Sequence, residues 1–163
     1  MKLRLIHLCF FIIFINISCN SNIDKLFYVD DYNDLVFLAN STNIKEISSK
    51  ESYLLSDINT LESNFSYKNY GKIYTNENYE VFVIFSRIEI PELQYSAEIK
   101  TFNKKTKKVI DSFYLAGYNH DSGELCTGSI DKKLVIKHAC DSHEFKIRKR
   151  INTFGKIIDI TNN

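Results

Sequence analysis

The fold is decided by residues 79–85, YEVFVIF, where six of seven side chains are apolar or aromatic. β-Branched and aromatic residues of this kind favour extended backbone. A nearly continuous apolar run, without alternation, is typical of a strand that is covered on both faces. We therefore expect residues 79–85 to form the central strand of the domain and the middle of its core.

Strand patterns continue on the C-terminal side of this run. Residues 95–102 alternate, with Tyr95, Ala97 and Ile99 on one face. The other face, Ser96, Glu98 and Lys100, should meet water. Further candidate strands are 109–115, 124–130, 134–139, 144–151 and 157–160, separated by a lysine-rich tip at 103–108, a polar loop at 117–123, and turns at 131–133 and Gly155. This spacing predicts a mainly β fold, an antiparallel meander of about eight strands in a sandwich, barrel-like or propeller-like sheet.

The segment before the predicted β domain has a mixed pattern. Residues 26–29 are a candidate strand, and residues 49–61 are a candidate helix with Ser48 or Ser49 as its N-cap. Residues 19–64 carry 3 basic and 8 acidic side chains, whereas residues 65–163 carry 16 and 12. We expect three parts: a signal peptide at 1–18, an acidic tether and N-terminal segment at 19–64, and the β domain at 65–163.

The N-terminus has the order of a secretory signal. It reads MKLRLIHLCFFIIFINISCN, with Lys2 and Arg4 before an apolar run at 8–15, and with small or polar residues up to Cys19. A permanent span would need about 20 apolar residues, roughly twice this run. The pattern therefore predicts export from a bacterial cytoplasm.

Ile17, Ser18 and Cys19, followed by polar residues, resemble the lipobox of bacterial lipoproteins. Asn16 departs from that pattern, since the family usually has Leu or another aliphatic residue there. The resemblance implies acylation (palmitate) of Cys19 and a lipid anchor in the membrane of the bacterial cell envelope, with the leaflet left open. An ordinary secreted protein and an uncleaved anchor remain the alternatives. Cys9, in the apolar run, is interpreted as a small hydrophobic residue.

Cys126 and Cys140 are the remaining cysteines, and in an exported protein such a pair most often forms a disulfide. They flank one predicted hairpin. With a three-residue turn the two would be diagonal neighbours, which are too far apart for a relaxed bridge. The disulfide therefore requires a longer turn or a bulge.

The histidines suggest an alternative, a metal site. His120, His138 and His143 lie within 24 residues together with both cysteines, and Cys and His are the ligands that zinc prefers. Their spacing is not that of a standard zinc motif. Histidines on strands and in loops are also ordinary structural residues.

A basic tract, KIRKR, lies at 146–150. On a strand, Lys146, Arg148 and Arg150 would share the outward face, and Phe145, Ile147 and Ile151 would point inward. The three cations are candidates for contact with phosphate or anionic lipid, or form a solvated strand face.

No phosphate loop, nucleophile elbow or metalloprotease motif occurs in the sequence. Without residues 1–18 the chain has 19 basic and 20 acidic residues, which argues against nucleic-acid binding. We expect a domain without catalytic residues or cofactor, similar to small bacterial envelope lipoproteins, that binds another envelope protein or a soluble ligand. The alternatives are an immunity or inhibitor lipoprotein against a toxin or hydrolase, and a metal-dependent hydrolase that uses the His/Cys cluster.

Overall fold

A computed structural model describes residues 24–57, 65–88, 93–142 and 146–160. The predicted signal peptide, Cys19 and His143 lie outside the described residues. In chain order the elements are β1 Lys25–Val29, α1 Tyr32–Asn40, β2 Lys45–Glu46, a 3-10 helix Ser49–Leu55, β3 Phe65–Thr75, β4 Tyr79–Ile88, β5 Gln94–Asn103, β6 Val109–Asn119, β7 Glu124–Asp131, β8 Val135–Cys140, β9 Ile147–Ile151 and β10 Ile157–Asp159.

The predicted antiparallel meander is confirmed, with 57% of the described residues in strands. Strands β2 to β10 lie side by side in chain order in one antiparallel sheet, and β1 pairs with β7. The sheet is not closed. The sheet curls, which brings β10 back to β6, four strands away. There the backbone amide of Ile157 donates to a carboxylate oxygen of Asp111 at 3.0 Å.

Strand β4 is covered on both faces, as its apolar run predicts. Val81, Val83 and Phe85 belong to the main core cluster, which also includes residues of α1, β5, β6 and β8. Phe82 and Ile84 point the opposite way into a smaller cluster beneath the 3-10 helix. Successive side chains of this apolar run therefore point to opposite faces of the sheet and contribute to two separate cores.

Helix α1 was not predicted. The side chain of Asp31 caps it by accepting a hydrogen bond from the backbone amide of Asp34 at 3.0 Å. Leu35, Leu38 and Ala39 are buried at helical spacing in the main core. The described part of the segment before residue 65 thus shares the core of the β domain, and the boundary at residue 64 stays a prediction.

The predicted helix at 49–61 begins at Ser49 but is a 3-10 helix that ends at Leu55. The backbone amide of Ser48 donates to the Glu51 carboxylate at 3.2 Å, which caps the first turn. Leu54 packs fully buried against the second face of β4. The remainder of the prediction, residues 58–61, lies outside the described residues.

The prediction for the outer face of β5 is wrong at Lys100. Instead of meeting water, this side chain is 1% exposed, and its Nζ lies 2.7 Å from a carboxylate oxygen of Asp57. The reason is nonlocal, because Asp57 directly follows the turn at the end of the 3-10 helix and approaches β5 from another part of the chain.

The polar loop predicted at 117–123 is shorter than expected. Strand β6 continues to Asn119, and the turn occupies 120–123. Gly117 is buried in the sheet, where a Cβ atom would lie 2.3 Å from the carbonyl oxygen of Tyr95. Gly117 therefore permits close strand contact rather than a turn.

Glu80 is the buried acid of β4. Its carboxylate accepts hydrogen bonds from Lys107 at 2.6 Å and Lys72 at 3.0 Å. Lys107 belongs to the lysine-rich tip at 103–108, and it turns back toward β4 from a backbone with φ of 55°. The hydrogen bond from Lys107, followed by that from Lys72, holds the pKa of Glu80 below its usual value.

We expect this network to stabilise the protein in a pH-dependent manner. A carboxyl group with a lowered folded-state pKa contributes stability above its unfolded pKa and loses it as the pH falls through the folded value. Glu80→Gln should therefore cost about 1 kcal/mol at neutral pH, a modest figure because both lysines are nearly half exposed. Urea unfolding of the wild type and of Glu80→Gln from pH 7 to pH 3 should show that the difference in their free energies of unfolding shrinks as the pH falls. A difference that stays constant would contradict the assignment.

Candidate functional site

The turn of the β7–β8 hairpin sets the register of its cysteines. Five residues separate the paired Ile130 and Ile136, and Leu134 takes the left-handed conformation with φ of 60°. The Asp131 carboxylate accepts from the amide of Val135 at 3.0 Å, which stabilises this longer turn. The hairpin therefore does not have the three-residue turn predicted at 131–133. It has the longer turn that the disulfide requires.

In this register Cys126 lies directly opposite Cys140 rather than diagonal to it. Their Cα atoms are 3.9 Å apart, and the two sulfurs are bonded. The predicted disulfide is therefore present, and it joins the last strands of the meander across one hairpin.

His138 lies beside this disulfide with both ring nitrogens in contact. Nδ1 is 2.8 Å from the carbonyl oxygen of Leu115, and Nε2 is 3.3 Å from the sulfur of Cys140. A carbonyl oxygen can only accept, so Nδ1 carries a proton and donates to it. The rings of Phe113 and Tyr114 pack edge-on against the imidazole.

The three predicted candidate metal ligands are not all brought together in the described residues. The donor atoms that do converge belong to Cys126, His138 and Cys140, all within 4.8 Å of one another. His120 is exposed in the β6–β7 turn and is not part of this group. Of the two described histidines of the predicted group, the sheet places His138 against the cysteine pair, whereas His143 lies outside the described residues.

A cavity of about 540 Å³ opens next to the disulfide. Its lining includes Ser86, Ser96, Tyr114, Glu124, Cys126 and His138. The hydroxyls of Ser86 and Ser96 are 2.6 Å apart, and Glu124 accepts a hydrogen bond from Ser142. Burial, with smaller contributions from Glu124 and Glu98, raises the pKa of Tyr114 to about 12, so its phenol stays protonated. Hydroxyl groups, aromatic groups and the disulfide all line this cavity.

A second cavity, of about 450 Å³, is also lined by His138, and three of its lining residues are Lys or Arg. We call it the cationic cleft. Its charged lining residues are Lys137, Lys146, Arg148 and Asp30. Lys137 of β8 lies directly opposite Arg148 of β9, and both are exposed.

The cations of this face are not neutralised within the protein as described. In residues 24–57, 65–88, 93–142 and 146–160, no ion pair involves Lys137, Lys146, Arg148 or Arg150. The neighbouring Lys149 differs, since it is half-buried and pairs with Asp159 at 2.7 Å. The carboxylate of Asp30 is held by Lys25 at 3.2 Å.

The predicted alternation of β9 is right for its cations and partly wrong for its apolar residues. Arg148 and Arg150 are exposed and Ile151 is buried, as expected. Ile147, predicted to point inward, is 38% exposed because the strand begins there, at the end of the sheet. Phe145 lies outside the described residues.

Sequence reasoning missed Lys137 as a member of the basic face. Its charge was visible in the sequence, but it becomes relevant only through the pairing of β8 with β9. The carbonyl of Leu115, which orients His138, belongs to the backbone and leaves no mark in the sequence.

Comparison with known proteins found no match: no family model, no curated protein and no solved structure is significantly similar to this chain. Within the described ranges, neither helix has the length and apolarity that crossing a bilayer requires.

Proposed function

We propose that this chain is a lipid-anchored protein of a bacterial envelope whose β domain binds a phosphate-bearing anion in the cationic cleft, without catalysing a reaction. The observation that carries the proposal is the direct pairing of Lys137 with Arg148, with Lys146 beside them and no acid neutralising any of the three in the described residues.

Two like charges directly opposite each other on neighbouring strands destabilise a sheet. An anion placed between them replaces that repulsion with two charge-assisted contacts. The planar guanidinium of Arg148 suits a phosphate group, because it donates two parallel hydrogen bonds, whereas Lys137 and Lys146 supply point charges. The cleft therefore has the charge and donor types of a phosphate site.

The anchor rests on the N-terminal sequence. A lipid on Cys19 would hold the domain beside phospholipid headgroups, so the bound phosphate has two plausible sources, a headgroup or a soluble compound. The non-catalytic interpretation is supported by His138, the imidazole in the cleft wall. Its two nitrogens contact Leu115 and Cys140, which leaves neither directed at a bound anion.

Phosphate binding is tested with the full-length protein in neutral detergent, with inorganic pyrophosphate as the soluble probe. We expect Lys137→Gln/Arg148→Gln to weaken pyrophosphate binding at least tenfold, because two charge-assisted contacts are lost. Lys105→Gln/Lys108→Gln, which removes the same charge from exposed positions of the β5–β6 tip, should leave the affinity within about twofold. Equal losses in both variants, or no binding by the wild type, would reject the site.

A second arm separates the two sources. Cys19→Ala protein, which lacks the anchor, is mixed with vesicles of phosphatidylcholine alone or with phosphatidylglycerol. Binding to the anionic vesicles that requires Lys137 and Arg148, with no binding of pyrophosphate, identifies a headgroup site. Pyrophosphate binding without vesicle binding identifies a soluble ligand.

The anchor itself is tested in cells. Cys19→Ala should release the protein from the membrane fraction, because no acyl chain can then be attached, whereas Cys9→Ala, within the signal, should leave it there. Mass spectrometry of the wild type should find an acylated N-terminal cysteine. Unchanged membrane retention of Cys19→Ala would disprove the anchor.

A further inference from the structure

The sulfur and nitrogen atoms around the disulfide have the composition of a metal site. Two cysteine sulfurs and one imidazole nitrogen lie within 4.8 Å of one another, on Cys126, Cys140 and His138. Cysteine thiolates and histidine are the ligands of zinc, and three protein ligands with one open position are typical of its reactive sites. In the oxidised protein the sulfurs are bonded to each other and cannot act as thiolates.

The orientation of His138 is the second observation. Its Nδ1 donates to the Leu115 carbonyl, and Nε2 faces the Cys140 sulfur at 3.3 Å. A hydrogen bond from the far nitrogen to a backbone carbonyl is the arrangement that orients metal-binding imidazoles and fixes their tautomer. Edge contacts from Phe113 and Tyr114 hold the ring in this position.

The backbone around the site does not depend on the disulfide alone. Thr127 pairs with Ala139 and Ile130 with Ile136 in the same hairpin, and β7 and β8 each have a further neighbour in the sheet. Cys126 and Cys140 therefore stay opposite each other after reduction, and rotation of their side chains is enough to separate the sulfurs.

We propose that the reduced protein binds one Zn²⁺ through the sulfurs of Cys126 and Cys140 and Nε2 of His138. A dithiol or phosphine reductant supplies two electrons, the S–S bond breaks, and two protons complete two thiols. Zn²⁺ then displaces both protons as the two Zn–S bonds form. The disulfide and the metal are alternative states of the same sulfurs. All three ligands line the hydroxyl-rich cavity, so the fourth position is open to water or to a ligand there.

The test uses the full-length protein in detergent, reduced with a phosphine that is then removed without oxygen, and Co²⁺ as the spectroscopic probe. We expect one equivalent of Co²⁺ to give sulfur-to-cobalt charge-transfer absorption and the visible bands of a tetrahedral site. Zn²⁺ added to the cobalt form should abolish both, and Zn²⁺ added to the metal-free reduced protein should release two protons per ion. The disulfide form should bind neither metal.

His138→Ala should weaken metal binding by about 100-fold. Loss of an outer-shell partner alone costs up to about that much, and His138 is proposed as a direct ligand. His120→Ala is the matched control, since that histidine lies outside the group, and its affinity should equal that of the wild type. Circular dichroism of each variant shows whether the fold is retained. Lys137→Gln/Arg148→Gln should bind Co²⁺ normally, which separates this site from the proposed anion site.

Three results would overturn the proposal. The first is a reduced protein that binds Co²⁺ no more tightly than the folded Cys126→Ser/Cys140→Ser variant. The second is equal affinity of the His138→Ala and His120→Ala proteins. The third is Co²⁺ binding without sulfur charge-transfer absorption, because the sulfurs would then not be ligands.

Discussion

Gly128→Ala is expected to destabilise the protein by about 3 kcal/mol or more, near the upper end of overpacking effects. A Cβ atom at this position would lie 2.2 Å from the carbonyl oxygen of Leu115 and 2.9 Å from its Cδ1 atom. That carbonyl cannot move freely, because it accepts the hydrogen bond from His138. Gly128 itself pairs with Val29 on one side and His138 on the other. The closest clash is therefore with a backbone carbonyl, at a residue whose own strand is paired on both sides.

Urea unfolding followed by circular dichroism measures this effect. Ser129→Ala is the matched control, since it changes the next residue of the same strand, on the opposite face, and should shift stability by no more than about 0.5 kcal/mol. If Gly128→Ala were as stable as Ser129→Ala, the Leu115 carbonyl of β6 would not lie this close to Gly128 of β7.

Asp57→Asn is the second change with a large expected effect, a loss of about 3 kcal/mol. It removes the charge that lies 2.7 Å from the Lys100 ammonium group, which is 1% exposed. Glu98, at 3.5 Å, remains as a weaker partner. The loss is large because the buried ammonium group keeps only this more distant carboxylate, which leaves much of its desolvation penalty uncompensated.

Lys100→Met removes the buried charge instead of its partner. Asp57 and Glu98 are 28% and 38% exposed, so water can solvate both carboxylates once the lysine is gone. Methionine has a similar length and is apolar, and we expect a loss below about 1 kcal/mol. Thermal or urea unfolding of the two single variants and the double variant measures the difference between the two losses of stability. Equal losses in the two single variants would mean that the pair is hydrated and that Lys100 is not the buried member.

The strands of this protein were largely predictable because strand patterns are local. The run at 79–85 and the alternation at 95–102 each indicate their element without reference to the rest of the chain. The disulfide was also predictable, since a hairpin with two cysteines has few other options in a chain that is expected to be exported. Helix α1 was missed although Asp31 and the spacing of Leu35 and Leu38 are helix signals, because the segment is short and weakly amphipathic.

The candidate site was predictable only in its residue types. The sequence shows the chemical groups of the cysteines, His138, Arg148 and the other cations. It does not show which residues these groups contact. Register depends on the turn, and here a leucine, Leu134, adopts a left-handed conformation that no residue preference predicts. Two added turn residues move Cys126 from a diagonal to a direct position opposite Cys140.

By itself, then, the sequence determined the β class and the central strand, since these follow from side-chain periodicity within a few residues. It also contains the cysteine pair, and the N-terminal pattern from which export is predicted. Tertiary structure decided the curl of the sheet, the burial of Lys100, the opposition of Lys137 and Arg148, and the contact of His138 with the disulfide. Each of these joins residues from different strands or segments, and their distances depend on register and curvature, which only the packed sheet specifies.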